Sequence, residues 1–458
     1  MPDAATQNSS RPELVRALSV HHATAVVIGT VIGSGIFLVP AEMMQAVGKA
    51  SAVYLAWIVG GLLSLAGALT YAELASLKPQ TGGEYVYMRD GYGPLGGFLY
   101  AWTYFIIAKP GSMATIATGF VRVLSRLEPL TFLGRNVNGS WHATWQGSSL
   151  AIAAVIFISF INYIGVKRAG EFQLFFTLLK IAIILAVVAL GFSYSVGSFA
   201  NFQTIYEGAK GGVAGFMVAL VAALWAYDGW NLVTLISGEV KRPERNLPIA
   251  LIVGMLTVAA LYIGVNAAVQ YVIPAAAVAA SASPALDAIR WVGPGVFSIV
   301  LLGMALSMLA TLNGSTMTGA RAPFAVARDG YFFHALAKVH PRFLTPSNAI
   351  IAQAVLAIAL LLIGATFQQL FSLTLFAEWL LYMLCAATVF IFRRREPDAP
   401  RAYKTWGYPV VPALFIVSAG VLLYYSIAQN RAVSLGGLAV IAAGVPVFWF
   451  FARRRVKG

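Results

Sequence analysis

The sequence predicts an all-α integral membrane protein with 12 transmembrane helices. Of its 458 residues, 59% are hydrophobic and only 10% are charged, whereas a soluble domain carries about 25% charged residues. The mean hydropathy is +0.78. Twelve apolar segments have the length that crossing a bilayer requires, about 20 residues. They are 21–46, 51–75, 95–121, 148–165, 171–193, 213–237, 247–273, 294–318, 348–365, 369–392, 409–427 and 434–452.

The basic residues orient these segments. Of the 31 Lys and Arg residues, 22 lie on one side of the predicted membrane and 7 on the other, and Lys109 and Lys180 lie within spans. Basic residues concentrate in cytoplasmic loops. With an even number of spans, we expect a multi-pass protein of the cell membrane with both termini in the cytoplasm. The net charge of +14 is spread over short loops, so we expect the lipid bilayer, and no nucleic acid, as a partner.

The first span contains a glycine-rich stretch, Gly33-Ser34-Gly35. Glycine costs about 1 kcal/mol relative to alanine in a helix interior, so the helix can unwind here. The freed N–H groups and the positive end of the following half-helix suit a carboxylate. Unwound backbone at membrane depth is tolerated where it lines a cavity or is buried in protein. The stretch therefore predicts a binding site, and the alternative is a packing interface of small residues.

The sixth span contains a second interruption. In the stretch LWAYDGWN at 224–231, an aspartate, a glycine and an asparagine break the apolar run. The two interruptions lie five spans apart, so two five-span units would have opposite orientations in the membrane. Interrupted helices at matching positions of two inverted halves indicate a transport site.

Several stretches resemble the amino acid–polyamine–organocation (APC) superfamily, and within it the L-amino acid transporter (LAT) family with its light subunits and bacterial homologues. The likeness runs from about Ala17 to the last span. The matching stretches are 33–37 (GSGIF), 73–96 (ELASLKPQTGGEYVYMRDGYGPLG), 165–180 (GVKRAGEFQLFFTLLK), 224–231 (LWAYDGWN) and 313–330 (NGSTMTGARAPFAVARDG).

The resemblance implies a LeuT-like fold with a five-plus-five inverted repeat and broken helices 1 and 6. We accordingly expect one transmembrane domain over 1–458, with repeats at about 21–193 and 213–392 and two extra spans at about 409–452. Family members that pair with a glycoprotein heavy subunit carry a cysteine in the outer loop after span 3. The loop 122–147 has none, so we expect no disulfide-linked heavy subunit.

A zwitterionic amino acid needs donors for its carboxylate and acceptors for its ammonium. The N–H groups of Ser34 and Gly35 suit the carboxylate, and freed carbonyls such as that of Val31 suit the ammonium. The resemblance adds the backbone of the sixth span as a further source of acceptors. The predicted substrate-binding residues are Val31, Gly33, Ser34, Gly35, Trp225, Ala226 and Asp228.

The predicted gating and coupling residues are Trp225, Lys180 and Tyr262. An indole beside unwound backbone can cover a bound ligand and exclude water, and the resemblance puts an aromatic gate at Trp225. The alternative is an aromatic residue packed within the span. The resemblance puts Lys180 where related sodium-coupled folds hold a cation, bridging spans 1, 5 and 8 with Tyr262 as its neighbour. The alternative is a lysine that extends to the membrane interface.

Asp228 is an acid within a span, which costs about 3 kcal/mol on insertion scales. It could hold the half-helix junction, pair with Lys109 or attract a cationic substrate, and we expect the junction role. Lys109 and Glu378 are further ionisable residues within spans, and the sequence assigns neither a role.

The function predicted from the resemblance is sodium-independent exchange of L-amino acids by alternating access, with small to medium neutral substrates. The alternative is a proton-coupled symporter, possibly of cationic amino acids. An enzyme is not expected, because the five histidines lie in loops or at span ends and no HExxH, GxSxG or Walker sequence is present. No cofactor or metal site is expected, and the short tails argue against a signalling sensor.

Overall fold

The computed structural model describes residues 13–33, 35–137, 140–281, 283–363, 367–429 and 431–456. In this part of the chain the structure is helical, apart from a short antiparallel hairpin of β1 (Gly134–Val137) and β2 (Ser140–Ala143). The α-helices are α1 Val20–Val31, α2 Gly35–Val47, α3 Ala50–Leu77, α4 Glu84–Tyr92, α5 Pro94–Thr103, α6 Lys109–Leu124, α7 Trp145–Tyr163, α8 Val166–Phe192, α9 Gly212–Ala226, α10 Pro243–Val272, α11 Ala275–Ala280, α12 Pro284–Asp287, α13 Pro294–Gly319, α14 Arg321–Arg328, α15 Ser347–Ile363, α16 Phe367–Arg395, α17 Val410–Gln429 and α18 Arg431–Val456.

Shorter helical turns connect some of these helices. A π-helical turn, Tyr104–Ala108, joins α5 to α6, and a 3-10 helix, Trp230–Glu239, follows α9. The other 3-10 turns are Thr131–Leu133, Phe199–Gln203, Arg290–Val292 and His334–Ala337.

By length and composition, 9 helices among the described residues can cross a membrane. The number is below the predicted twelve because three predicted spans are interrupted or short. The first span is divided into α1 and α2, and the third is divided by the π-helical turn. The ninth corresponds to α15, which ends at Ile363, ahead of the undescribed residues 364–366. A multi-pass membrane protein is thus confirmed, and the exact count of twelve stays a prediction.

Apolar side chains face outward and ionisable side chains face inward, as a lipid bilayer requires. Large apolar side chains face outward on the long helices, among them Leu62 on α3 and Phe160 on α7, which are 60% and 59% exposed. Ionisable side chains such as Lys109, Lys180 and Glu378 are instead buried among the helices. Charges within a membrane protein face its interior or a cavity because hydrocarbon cannot solvate them.

Buried amides hold α1 at the centre of the helices. α1 packs against α8, α10 and α13. Thr177 Oγ1 and Gln173 Nε2 on α8 donate to the carbonyl of Ala25, at 3.0 and 3.3 Å. Gln173 Oε1 accepts from Asn313 Nδ2 on α13 at 2.8 Å. These contacts fix the N-terminal half of the first span, and the end of that half forms the site described next.

Candidate functional site

The first span is interrupted between Val31 and Gly35. Ile32 leaves helical geometry with ψ of 90°. In a continuous helix the N–H of Gly33 would bond to the carbonyl of Gly29, but it donates to Val31 O at 2.8 Å instead. The break therefore releases carbonyls at the C-terminal end of α1. Ser34, predicted to donate to a substrate carboxylate, lies outside the described residues.

The sixth span is interrupted directly after α9. The N–H of Asp228 turns back to Trp225 O at 3.0 Å, and Gly229 adopts a left-handed conformation with φ of 107°. A side chain on Gly229 would also approach the backbone carbon and oxygen of Thr30 to 3.2 Å. The hydroxyl of Thr30 donates to Gly229 O at 2.9 Å, which joins the two interruptions directly.

A cavity of about 140 Å³ lies between the two interruptions. A cavity needs at least about 10–15 Å³ to hold one water molecule, so this cavity has room for several waters or for a small to medium amino acid. The described residues that line it are Thr30, Val31, Gly33, Gly35, Lys109, Ser112, Thr115, Ile116, Trp225, Ala226, Asp228, Gly229, Leu232, Met308, Thr311, Ser315 and Glu378.

The structure brings the described members of the predicted substrate site together around this cavity. From the first span they are Val31, Gly33 and Gly35, and from the sixth they are Trp225, Ala226 and Asp228. A Cβ atom on Gly35 would lie 3.2 Å from Ala226 Cβ and 3.7 Å from Trp225 Cζ3, so the two half-helices meet closely here.

Lys180 lies behind the cavity and is 1% exposed. Its ammonium donates to Gly29 O at 2.9 Å, to Ile32 O, and to Thr311 Oγ1 on α13 at 3.1 Å. It thus connects the released carbonyls of the first span with α8 and α13, the three elements predicted. The side chain is held within the helices and does not extend to the membrane interface.

Tyr262 on α10 lies between the two interruptions. Its hydroxyl is 3.1 Å from Val31 O and 2.8 Å from Ala226 O. It therefore contacts the end of α1 and the end of α9. It is a neighbour of the broken helices, and no hydrogen bond joins it to Lys180 among the described residues.

The Val31 carbonyl has two polar neighbours. Val31 O accepts from Gly33 N at 2.8 Å and lies 3.1 Å from Tyr262 Oη, whose single proton is shared with Ala226 O at 2.8 Å. Its use by a substrate ammonium stays a prediction. Asp228 Oδ1, in contrast, is buried and has no hydrogen-bond partner among the described residues. Asp228, expected to act at the junction, thus lines the cavity and carries one buried carboxylate oxygen without a hydrogen-bond partner among the described residues.

The sequence left the partner of Lys109 open, and the structure identifies it as Glu378. The two side chains form an ion pair with Nζ and Oε1 3.1 Å apart, and both line the cavity. Two intramembrane residues of opposite charge are a signal for such a pair, but their positions in the sequence do not say which helices meet.

A multi-pass membrane protein with two interrupted helices around a cavity belongs to the class of membrane transporters. Residues 18–451 match the family described as amino acid permease. The chain therefore belongs to the amino acid permease family.

Similar proteins cover almost the whole chain. It is 30% identical over 450 residues to the serine/threonine exchanger SteT of Bacillus subtilis (strain 168), covering 97% of this chain and 98% of that protein. It is 30% identical over 420 residues to the b(0,+)-type amino acid transporter 1 of Homo sapiens, covering 91% and 84%. It is 28% identical over 441 residues to the cystine/glutamate transporter of Homo sapiens, covering 96% and 86%.

Proposed function

We propose that this permease exchanges L-amino acids across the cell membrane by alternating access, without sodium. The observation that carries the proposal is the cavity between the two interrupted helices, whose size suits one small to medium amino acid. The names of the similar proteins, a serine/threonine exchanger among them, support exchange of amino acids. The expected substrates are small to medium neutral L-amino acids.

The absence of sodium coupling rests on Lys180. Its ammonium donates to Gly29 O and Ile32 O, and carbonyls released from a broken helix are the groups that coordinate a sodium ion in coupled transporters. A fixed ammonium on these oxygens supplies the positive charge that a bound cation would bring. In the proposed exchange, each transport cycle carries one amino acid in each direction and no sodium ion.

The proposed architecture has twelve spans, repeats at about 21–193 and 213–392, and two additional spans at about 409–452. The interruptions after α1 and α9 support it, because they fall in the first helix of each proposed repeat. The predominance of basic residues on one side supports cytoplasmic termini. Without a cysteine in the outer loop, we expect the chain to act without a disulfide-linked heavy subunit.

Counterflow into proteoliposomes of the purified chain tests this proposal. Labelled serine should enter vesicles preloaded with serine, alanine or threonine, and replacing sodium by choline should leave the rate unchanged. Vesicles without internal amino acid should accumulate little label. Equal uptake into empty and preloaded vesicles would contradict exchange.

The second candidate is proton-coupled uptake of cationic amino acids. The observation in its favour is Asp228, an acidic residue that lines the cavity and has a buried carboxylate oxygen without a hydrogen-bond partner among the described residues. This function predicts that an inwardly directed proton gradient drives labelled lysine or arginine into empty vesicles. The same vesicles would show no stimulation by internal serine.

A further inference from the structure

The ion pair of Lys109 and Glu378 lies in the wall of the cavity but outside the interrupted helices. Lys109 begins α6 and Glu378 lies on α16, and the two residues are 3% and 5% exposed. The interrupted first and sixth spans offer backbone groups, which every amino acid can use. The walls formed by α6, α13 and α16 offer side chains, so, together with Asp228 of the sixth span, they can distinguish one substrate side chain from another.

Local backbone geometry places Lys109 at this position. The π-helical turn at Tyr104–Ala108 ends with the N–H of Lys109 bonded to Tyr104 O. The next residue, Pro110, has no N–H to continue a regular helix. Single π-helical turns within helices occur frequently at functional sites. The Lys109 ammonium also lies over the Tyr104 ring, 4.9 Å from its centre, and makes a cation–π contact with it.

The stability of the fold does not by itself explain the ion pair of Lys109 and Glu378. Removing two charges from water costs several kcal/mol per ion, and apolar side chains of similar volume are often at least as stabilising. Arg321 and Glu239 are the better candidate for a structural pair, because both are 0% exposed, two hydrogen bonds of 2.7 and 2.9 Å join them, and neither is among the described residues that line the cavity.

We propose that the Lys109–Glu378 pair determines which side-chain charge the cavity accepts. Glu378 neutralises Lys109 in the cavity wall, so the pair together attracts neither an anionic nor a cationic substrate side chain. Loss of one partner leaves the other charge in a poorly solvated wall, where an opposite charge is attracted and a like charge is repelled. The inference rests on the proposed function, because it assigns the substrate class of that same cavity.

The test compares three variants, Glu378→Gln, Lys109→Gln and the double variant, with wild type. Counterflow with labelled serine is competed by glutamate and by lysine in each preparation. Glu378→Gln should raise the apparent affinity for glutamate relative to serine by about tenfold or more, which corresponds to at least about 1.4 kcal/mol. Lys109→Gln should raise the apparent affinity for lysine relative to serine by a similar factor. The double variant carries neither charge, so the net charge at the two positions is zero as in wild type. The apparent affinities for glutamate and for lysine, each relative to serine, should therefore return toward the wild-type values.

Glu239→Gln is the matched control, because it also removes one partner of a buried ion pair but lies away from the cavity. It should lower stability and leave both selectivity ratios unchanged. Equal shifts in this control, or wild-type ratios in both single variants of the cavity pair, would overturn the proposal. If Glu378→Gln does not accumulate, Glu378→Asp retracts the carboxylate from Lys109 and should shift the ratio in the same direction by less. An unchanged ratio in that variant would also overturn it.

Thermal stabilisation of detergent-purified protein by serine, glutamate and lysine separates failure of this inference from failure of the proposed function. It measures binding without a transport cycle. Binding selectivity that shifts as described, in a protein that does not exchange, would sustain the role of the pair and refute exchange. Exchange of serine with unchanged binding selectivity in the variants would sustain the proposed exchange and refute the role of the ion pair.

Discussion

Lys180 is the residue on which the proposed mode of coupling depends. It is not among the described residues that line the cavity, whereas its partner Thr311 is. Removing the lysine therefore leaves the residues that line the cavity in place and removes the ammonium that bridges Gly29 O and Ile32 O to Thr311. Hydrogen bonds to charged groups contribute about 1.5–3 kcal/mol, so we expect Lys180→Ala to lower the exchange rate by about tenfold or more. Substrate affinity should change much less.

Exchange rates in proteoliposomes and calorimetric binding on the same preparation separate these two effects. Lys338 is the control, since it is an exposed lysine in the loop before α15. Lys338→Ala should change neither quantity. Full turnover in Lys180→Ala would show that the bridge is dispensable and that the lysine is only a buried packing residue.

Trp225 allows a second prediction at the scale of one residue. It lies at the end of α9, lines the cavity and approaches Gly35 on α2. If the indole covers the substrate, Trp225→Ala should raise the apparent KM several-fold to about tenfold, because a large aromatic surface is lost from the closed state. Trp225→Phe should have a smaller effect. Initial rates over a range of serine concentrations measure this, and wild-type kinetics in the alanine variant would leave Trp225 with a packing role.

The sequence located most of the candidate site but not its polar pairings. Gly33 and Gly35 stand out because two closely spaced glycines weaken a helix, and Asp228 stands out because acidic residues are rare inside a span. The contact of Tyr262 with the Val31 carbonyl and the pairing of Lys109 with Glu378 do not follow from the local sequence. Both depend on side chains that distant helices bring into contact, and the two members of the ion pair are separated by most of the chain.

At the scale of elements, the short connection after α9 is the most constrained part of the site. Gly229 combines φ of 107° with a close approach to the backbone of Thr30. A left-handed conformation costs a residue with a side chain about 1–2 kcal/mol, and the contact with Thr30 adds to this. We expect Gly229→Ala to lower the thermal stability of the purified protein and to impair exchange.

Gly295 near the start of α13 provides the comparison, since an added Cβ would meet no atom within 4 Å and its φ is not positive. Gly295→Ala should behave like wild type in unfolding followed by tryptophan fluorescence. Equal melting temperatures for the two alanine variants would refute the conformational requirement at Gly229.

The ion pair of Arg321 and Glu239 joins α14 to the 3-10 helix after the second interruption. Removing one partner of a buried pair leaves an uncompensated charge and costs about 3–5 kcal/mol. Arg321→Met alone should therefore strongly destabilise the protein, and Arg321→Met with Glu239→Leu should recover much of the loss. Denaturation in detergent measures both, and a double variant no more stable than the single one would argue against a simple charge effect.

Element boundaries were predictable where the chain itself determines them. Both interruptions lie at stretches that contain glycine or a charge, because these residues weaken a helix locally. The 3-10 geometry after Gly229 and the hairpin between α6 and α7 were not predicted. The π-helical turn before α6 could have been suspected from Pro110, since a proline within a helix disturbs its hydrogen bonds.

At the scale of the whole molecule, the orientation in the membrane can be measured directly. The only cysteine, Cys385, is buried, so Cys385→Ala gives a background for labelling. On this background, Glu207→Cys should react with a membrane-impermeant maleimide in intact cells, and Lys338→Cys should react only after permeabilisation. Both native residues are exposed. The reverse pattern would place the termini outside the cell.

Hydropathy predicted the class of protein and the order of its apolar segments, because partition into lipid depends on local composition. It could not predict how the segments pack, since all of them are similarly apolar. The arrangement of α1 against α8, α10 and α13 depends instead on a few buried amides and hydroxyls, such as those of Gln173 and Thr177.

The attachment of Lys180 to the carbonyls of Gly29 and Ile32 has a consequence for the metabolism of the cell. An ammonium that is part of the polypeptide is never released on the far side of the membrane, so no ion gradient enters the free energy of the proposed cycle. Exchange then stops when the inside-to-outside ratios of the two amino acids are equal. Such a permease would change the composition of the amino acid pool while conserving its total size, and the most abundant internal amino acid would drive the import of a scarce one.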